Sequence, residues 1–221
     1  MSIKAILFDF DGTLADTLPL SFHAFQTVFK QYDNRDVTID ELISMLGPTE
    51  EDIIGGNFSD QTSVQQAIED YYSIYEKGHL DTFQNDQNII DLLHDLKENG
   101  IKLGVITGKS RRAYTLSTEA LSLHSYFDIA ITGNDVEKPK PDPEGINNAL
   151  STLGINKSNA IFIGDSNADI VAGKAAGVRT YGVQWLSTSQ SLVYDLNPDA
   201  IFTSVVELRE LLDKEGVQHG N

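Results

Sequence analysis

The chain has 221 residues, enough for one large domain or for a core carrying a smaller insertion. Its 33 acids against 16 lysines and arginines leave a formal charge of −17, which argues against nucleic acid or an anionic membrane as partner. It contains no cysteine, so disulfides, thiolate catalysis and cysteine-based zinc sites are excluded.

Residues 3–9 are a short continuous apolar run of the kind covered on both faces in parallel sheets, and they predict a buried strand that ends in DFDGT (9–13). From Thr17 to Asp81 no strand pattern follows, but three or four helical ones do. Thr38-Ile39-Asp40-Glu41 reads as a capping box opening a helix through Met45, and Thr62 to Gln65 repeats the signal before AIEDYYSIYEKG. Leu46-Gly47-Pro48-Thr49-Glu50 reads as a turn between helices. This stretch holds twelve acids and three bases (Lys30, Arg35, Lys77), and its all-helical character predicts a lid or cap domain.

After it, NIIDLLHDLKENG (88–100) places Ile89, Leu92, Leu93 and Leu96 on one helical face and stops at Gly100. Four more strand-like runs follow, at 102–108, 127–133, 160–165 and 178–183, with a short edge strand at 200–204. Between them GINNALSTLG (145–154) and ADIVAGKAAG (168–177) predict helices closed by left-handed caps at Gly154 and Gly177. The tail GVQHGN is expected to fray. The alternation predicts an α/β fold, a doubly wound parallel sheet. Residues 1–16 and 82–221 would form the core and 17–81 the helical cap.

Chemistry gathers at the strand ends. Asp9 and Asp11, two apart, share one side of the first strand, where open α/β sheets bind ligands. Gly12-Thr13 offers a tight turn with backbone N–H groups for an anion. The second strand ends in Thr107-Gly108-Lys109, the fourth in Gly164-Asp165-Ser166 with Asp169 one turn on, and VEKPKPDPE (136–144) is a basic loop entering a helix. Any one of these reads equally well as a helix cap or a solvated loop; their convergence on one crevice does not. Carboxylates without cysteine or clustered histidine suit a hard cation, so Mg²⁺ is favoured over Zn²⁺, with lysine, threonine and backbone N–H groups forming a phosphoryl cradle. The five histidines are scattered, without metal-ligand spacing. His23 and Trp185 are expected to pack or face solvent rather than act.

DFDGT, the apolar run into Thr107-Gly108, the Lys-Pro loop and GDSNAD (164–169) together resemble the haloacid dehalogenase-like superfamily, in order and across nearly the whole core. The helical insertion resembles that family's C1 cap. DGTLADT, MLGPT, VEKPKPDPE and AGKAAGVRTYGV look most like its phosphoglycolate phosphatase and pyrophosphatase group. The resemblance implies a Mg²⁺-dependent phosphatase acting on a small soluble phosphate ester such as phosphoglycolate, or on pyrophosphate. Asp9 would be the nucleophile and Asp11 the general acid and base. Asp9, Asp165, the Asp11 carbonyl and, more weakly, Asp169 would hold the metal. Thr107 and a lysine would hold the phosphoryl oxygens, helped by Gly12, Thr13, Gly108 and Lys109.

Lys138 and Lys140 both satisfy Lys-Pro-x-Pro, and counting back from Gly154 against the family pattern favours Lys140. Gly47, Pro48 and Thr49 match the family's substrate-reading loop. A second anionic group on the substrate would have to be met by Arg35 or the Lys109–Arg112 segment. A β-phosphoglucomutase-like mutase or sugar-phosphate phosphatase shares the whole constellation. A receiver-like or inactive binding module is the contrasting reading, disfavoured by chain length and the filled catalytic positions. No signal peptide or membrane-spanning run is evident, so a cytoplasmic protein, monomeric or weakly dimeric, is expected.

Overall fold

The computed structural model describes residues 2–82 and 86–217. Six parallel strands form one sheet in the order β3-β2-β1-β4-β5-β6. They are β1 (Ala5–Phe8), β2 (Lys102–Ile106), β3 (Ile129–Ile131), β4 (Ala160–Gly164), β5 (Arg179–Val183) and β6 (Ala200–Phe202). Each lies within its predicted run. β1 is central, with Ala5 in register with both Lys102 and Ala160, and all four of its residues are fully buried.

Alternation along the strands feeds two apolar layers. Ile6 and Phe8 face a cluster completed by α5 (Gln87–Glu98), α6 (Arg111–Ala120) and α9 (Val205–Lys214). Ala5 and Leu7 face the smaller cluster of α7 (Glu144–Leu153) and α8 (Asn167–Ala176). Ile89, Leu92, Leu93 and Leu96 are the buried face of α5, as their spacing requires. Gly154 and Gly177 close α7 and α8 at φ 67° and 73°.

Four helices follow β1: α1 (Leu18–Asp33), α2 (Ile39–Met45), α3 (Glu50–Asn57) and α4 (Val64–Thr82). They enclose an apolar cluster of their own, centred on Phe25, Phe29, Leu42, Ile54, Tyr71 and Tyr75. The Thr38–Glu41 capping box forms as predicted. The second one does not: the Thr62 hydroxyl donates to Asp60 Oδ1 at 2.7 Å, and α4 opens beyond it at Val64. The Thr62 N–H donates to the same oxygen at 2.9 Å, which ties the residue into a turn at Asp60. α4 seats on α6 through a row of buried hydroxyls, with Tyr72 on Ser110 at 2.7 Å and Tyr75 on Ser117 at 2.8 Å. Arg112 of α6 forks onto Glu69 of α4 at 2.9 and 2.8 Å.

The predicted frayed tail is corrected at its start, where Val217 is buried in the core and its N–H donates to the Leu212 carbonyl. Residues 218–221 lie outside the described residues. Among the described residues no helix is long and apolar enough to cross a membrane.

Candidate active site

Strand order reverses between β1 and β4, so their connections depart in opposite directions and leave a crevice beyond their carboxyl ends. Asp9 follows β1, Thr107 follows β2 and Asp165 follows β4, which delivers all three to that crevice. Helices α1 to α3 cover it and close a cavity of about 340 Å³. Asp9, Asp11, Thr107, Gly108, Lys109 and Lys140 all contribute to its wall.

Asp9, Asp165 and Asp169 are buried and bring one carboxylate oxygen each to within 4.8 Å of the others. Lys140 is their counter-charge: its ammonium donates to Asp9 Oδ1 at 2.5 Å, Asp169 Oδ1 at 2.6 Å and the Ile106 carbonyl at 3.1 Å. One lysine does not balance three carboxylates. Burial pushes Asp9 up to about 7, with Asp169 adding repulsion and Lys140 opposing it. Burial and the charges of Asp9 and Asp169 push Asp165 up to about 9. Excess negative charge on buried oxygen donors, with no sulfur or imidazole among them, is what a hard divalent cation fits.

The cluster is built by local rules. Gly12 stands at φ 80°, and a Cβ there would lie 2.3 Å from Asp165 Oδ2, so the turn needs both a left-handed residue and no side chain. Asp169 is held by Ser166 in a capping box at the start of α8, through the Ser166 N–H at 2.9 Å and its hydroxyl at 2.6 Å. Asp165 accepts from the Thr13 hydroxyl at 3.2 Å and from the Gln190 N–H at 2.6 Å.

Asp11 faces the same cavity but keeps different company. Its carboxylate lies outside the three-carboxylate cluster and accepts from Lys109 Nζ at 3.0 Å and from the Thr17 hydroxyl. The two acids of DFDGT therefore do not share one counter-charge: Asp9 has Lys140 and Asp11 has Lys109. Thr17, with helical backbone angles of φ −89° and ψ −10°, makes no side-chain cap for α1 and gives its hydroxyl proton to Asp11. Lys109, expected to reach for phosphate, is buried, with Glu50 Oε1 at 3.7 Å and the Tyr75 ring at 4.9 Å.

Other expected residues separate in the same way. Gly47 and Pro48 line the cavity, whereas Thr49 is buried behind it, capping α3 through its hydroxyl. Thr13 is fully buried behind Asp165 rather than lining the wall, and Gly12 is likewise not part of it. Thr107 keeps its place in the wall, with its Oγ1 accepting from the Lys109 N–H at 3.2 Å. Gly108 allows close approach of the helical segment, since a Cβ there would sit 2.9 Å from the Gly47 carbonyl. Lys138 is exposed, and its N–H donates to Glu144 at 3.0 Å.

Of the suggested anion contacts Lys109 lines the cavity, already paired with Asp11, whereas Arg35, Arg111 and Arg112 do not. Arg35 donates to the Asn57 carbonyl, and Arg111 pairs with Asp135. His23 is exposed, and Trp185 packs on the core with its indole N–H on the Thr13 carbonyl at 2.8 Å. The sequence reading missed Thr17, Glu50, Gln190 and Ser191. Of these Thr17 and Glu50 are the last residues of quoted stretches, DGTLADT and Leu46–Glu50, while Gln190 and Ser191 sit in a loop without periodicity.

A parallel sheet of this order with a crevice at its switch point defines a doubly wound α/β protein with a ligand site there, and comparison with known proteins makes the class specific. A family model described as haloacid dehalogenase-like hydrolase matches residues 6–183, and the chain belongs to that family. Within it the chain is similar to curated proteins named as pyrophosphatases. It is 32% identical over 212 residues to pyrophosphatase PpaX of Anoxybacillus flavithermus, covering 96% of this chain and 98% of that one. It is 29% identical to the protein of the same name from Bacillus cereus, over 96% and 97% of the two chains. Among solved structures, a haloacid dehalogenase-like hydrolase from Bacteroides fragilis superposes with a TM-score of 0.76 at 27% identity, over 94% of this chain and 100% of that one. A predicted phosphoglycolate phosphatase from Haemophilus somnus shares the fold at a TM-score of 0.80 and 19% identity, over 96% and 98%.

Proposed function

We propose that the chain is a Mg²⁺-dependent phosphatase that acts on a small phosphorylated metabolite through a phosphoryl group carried on Asp9. The observation that carries this reading is the division of the two DFDGT carboxylates. They line one cavity, yet one belongs to a buried, lysine-bridged acid cluster and the other to a separate lysine and threonine. Two acids with different surroundings can hold different roles in one reaction. Residues 17–81 serve as a helical cap over a core formed by 1–16 and 82–221.

An oxygen of Asp9 attacks phosphorus while the bond to the leaving oxygen breaks, and Asp11 gives that oxygen its proton. Asp11 then takes a proton from water as the water oxygen attacks the phosphorus on Asp9, which breaks the bond to Asp9, releases inorganic phosphate and restores the Asp9 carboxylate and the protonated Asp11. Lys140 and the Thr107 hydroxyl stabilise the charge that spreads over the phosphoryl oxygens. Asp9, Asp165 and Asp169, with the Asp11 carbonyl, would hold Mg²⁺, whose charge would neutralise the transferring group. Lys109 orients Asp11. The cap walls exclude bulk water from the intermediate.

The test is hydrolysis of p-nitrophenyl phosphate by purified protein with Mg²⁺. Activity is expected to disappear with EDTA, return with Mg²⁺, and be absent in Asp9→Asn. Full activity in Asp9→Asn would refute the covalent route. Isomerisation of a sugar phosphate without phosphate release would indicate a mutase.

A further inference from the structure

Glu50 is a carboxylate in an unexpected place. It opens α3, is only 5% exposed, and contributes to the cavity wall. Its Oε2 accepts from the Ser110 N–H at 2.8 Å and its Oε1 faces Lys109 Nζ at 3.7 Å. Burial raises its pKa, and the nearby Lys109 ammonium and the Ser110 donors oppose that rise and favour the ionised form.

The charges on the cavity wall can be followed one by one. They are Asp9, Asp11, Glu50, Lys109 and Lys140. Lys140 is engaged by Asp9 and Asp169, and Lys109 lies between Asp11 and Glu50. Neither lysine is left for a second anionic group on a substrate. If Asp11 protonates the leaving oxygen, the leaving group must lie on the Asp11 side, beside Lys109 and Glu50. The wall given by the helical segment is otherwise apolar, from Leu18, Phe25, Ile43, Leu46 and Ile53, apart from the Ser21 hydroxyl, which is paired with the Tyr71 hydroxyl at 2.7 Å. An anion placed there would lose water, meet a buried carboxylate and find no unengaged cation.

We propose that Glu50 sets leaving-group specificity by charge, so that phosphate esters of uncharged alcohols are hydrolysed in preference to those whose leaving group carries its own negative charge. The inference rests on the phosphatase reading above and narrows it. Inorganic pyrophosphate, whose leaving group is an anion, falls on the disfavoured side, which sets this chain apart from the activity its curated relatives are named for.

A matched pair tests it, because 2-hydroxyethyl phosphate and 2-phosphoglycolate differ only by CH₂OH against a carboxylate. With Mg²⁺, the wild-type kcat/KM is expected to favour 2-hydroxyethyl phosphate by roughly tenfold or more, as like-charge juxtaposition requires. Glu50→Gln, which keeps an acceptor for the Ser110 N–H, is expected to compress that ratio about fivefold, chiefly through KM for phosphoglycolate. Glu50→Asp, which keeps the charge, should retain the preference. A purely structural role for Glu50 would change both substrates alike. Wild-type preference for phosphoglycolate overturns the proposal without any variant, as does a ratio unmoved by Glu50→Gln. Absence of phosphate release from both substrates and from p-nitrophenyl phosphate overturns the phosphatase reading, and the charge preference with it.

Discussion

Lys140→Ala should separate two lysines that the sequence leaves almost equivalent. All three donors of the Lys140 ammonium are used, on Asp9, Asp169 and the Ile106 carbonyl, and its side chain is 12% exposed. Removing it leaves Asp9, Asp165 and Asp169 buried with no lysine beside them. Deleting one partner of a buried ion pair costs about 3–5 kcal/mol. Asp9 and Asp165 already stand at about 7 and 9 and can escape part of that cost by taking up protons. The loss of stability should therefore be nearer 3 kcal/mol at pH 8 and smaller at pH 6. Losing a preorganised cation from the phosphoryl site should cost a further factor of about 10²–10³ in kcat. Lys138, exposed and held only through its backbone, should change activity by about twofold or less on Lys138→Ala. The assay is p-nitrophenyl phosphate turnover at saturating Mg²⁺, with urea unfolding of each variant at both pH values. A folded Lys140→Ala protein within tenfold of wild type, or an inactive Lys138→Ala, would refute the assignment.

Gly12→Ala combines a left-handed backbone with a Cβ driven against Asp165, so a loss of about 2 kcal/mol or more and weakened Mg²⁺ protection against heat are expected in thermal melts. His79, buried against Tyr75 and Ser117, has its pKa lowered from 6.5 to about 4, first by desolvation and then by Lys109. As pH falls below 6.5 the unfolded chain binds a proton that the folded one refuses, so this contribution is complete above 6.5 and lost towards 4. The full shift corresponds to about 3 kcal/mol, and roughly half should survive solvent screening. His79→Gln should accordingly show a shallower loss of Tm between pH 7 and pH 5 than wild type, and parallel curves would remove His79 from the account. Adding Mg²⁺ to metal-free protein should raise Tm more at pH 8 than at pH 6, because the carboxylates must give up protons to bind it; an equal shift at both would count against Asp9 and Asp165 as ligands.

Strands and helix ends were legible because their signals are local. Continuous apolar runs marked the six strands, and Gly154 and Gly177 marked the left-handed ends of α7 and α8, whereas Asn34, left-handed at the end of α1, carried no such mark. The acid cluster was legible for a related reason, since parallel strands deliver their carboxyl ends to one crevice whatever the intervening sequence. What could not be read is which polar neighbour each side chain selects across long separations. Lys109 and Asp11 are 98 residues apart, and nothing local indicates that Asp11 takes Lys109 rather than sharing Lys140. Glu50 looked like one more solvated acid of an acidic segment, because burial of a single carboxylate depends on the fit of α3 against Lys109 and the Ser110 cap of α6 rather than on its own surroundings in sequence. Thr62 failed as a cap for the opposite, local reason, because its N–H and hydroxyl both turn back onto Asp60 and α4 opens beyond it at Val64.

The central place of β1 bears on how the chain reaches this state. β1 is the first strand synthesised, yet both of its sheet neighbours come later, from residues 102 and 160 onward. As it emerges it has nothing to pair with, while the four helices behind it carry an apolar cluster made mostly of contacts among themselves. Helical contacts close over short loops, but insertion of β1 must span first the whole helical segment and then a second crossover. Folding should thus run from the middle of the chain outward, with the strand that bears Asp9 locking in late. A nascent chain halted before β4 would possess the helices but neither Asp165 nor Asp169, so the cluster could not assemble until most of the protein had been made.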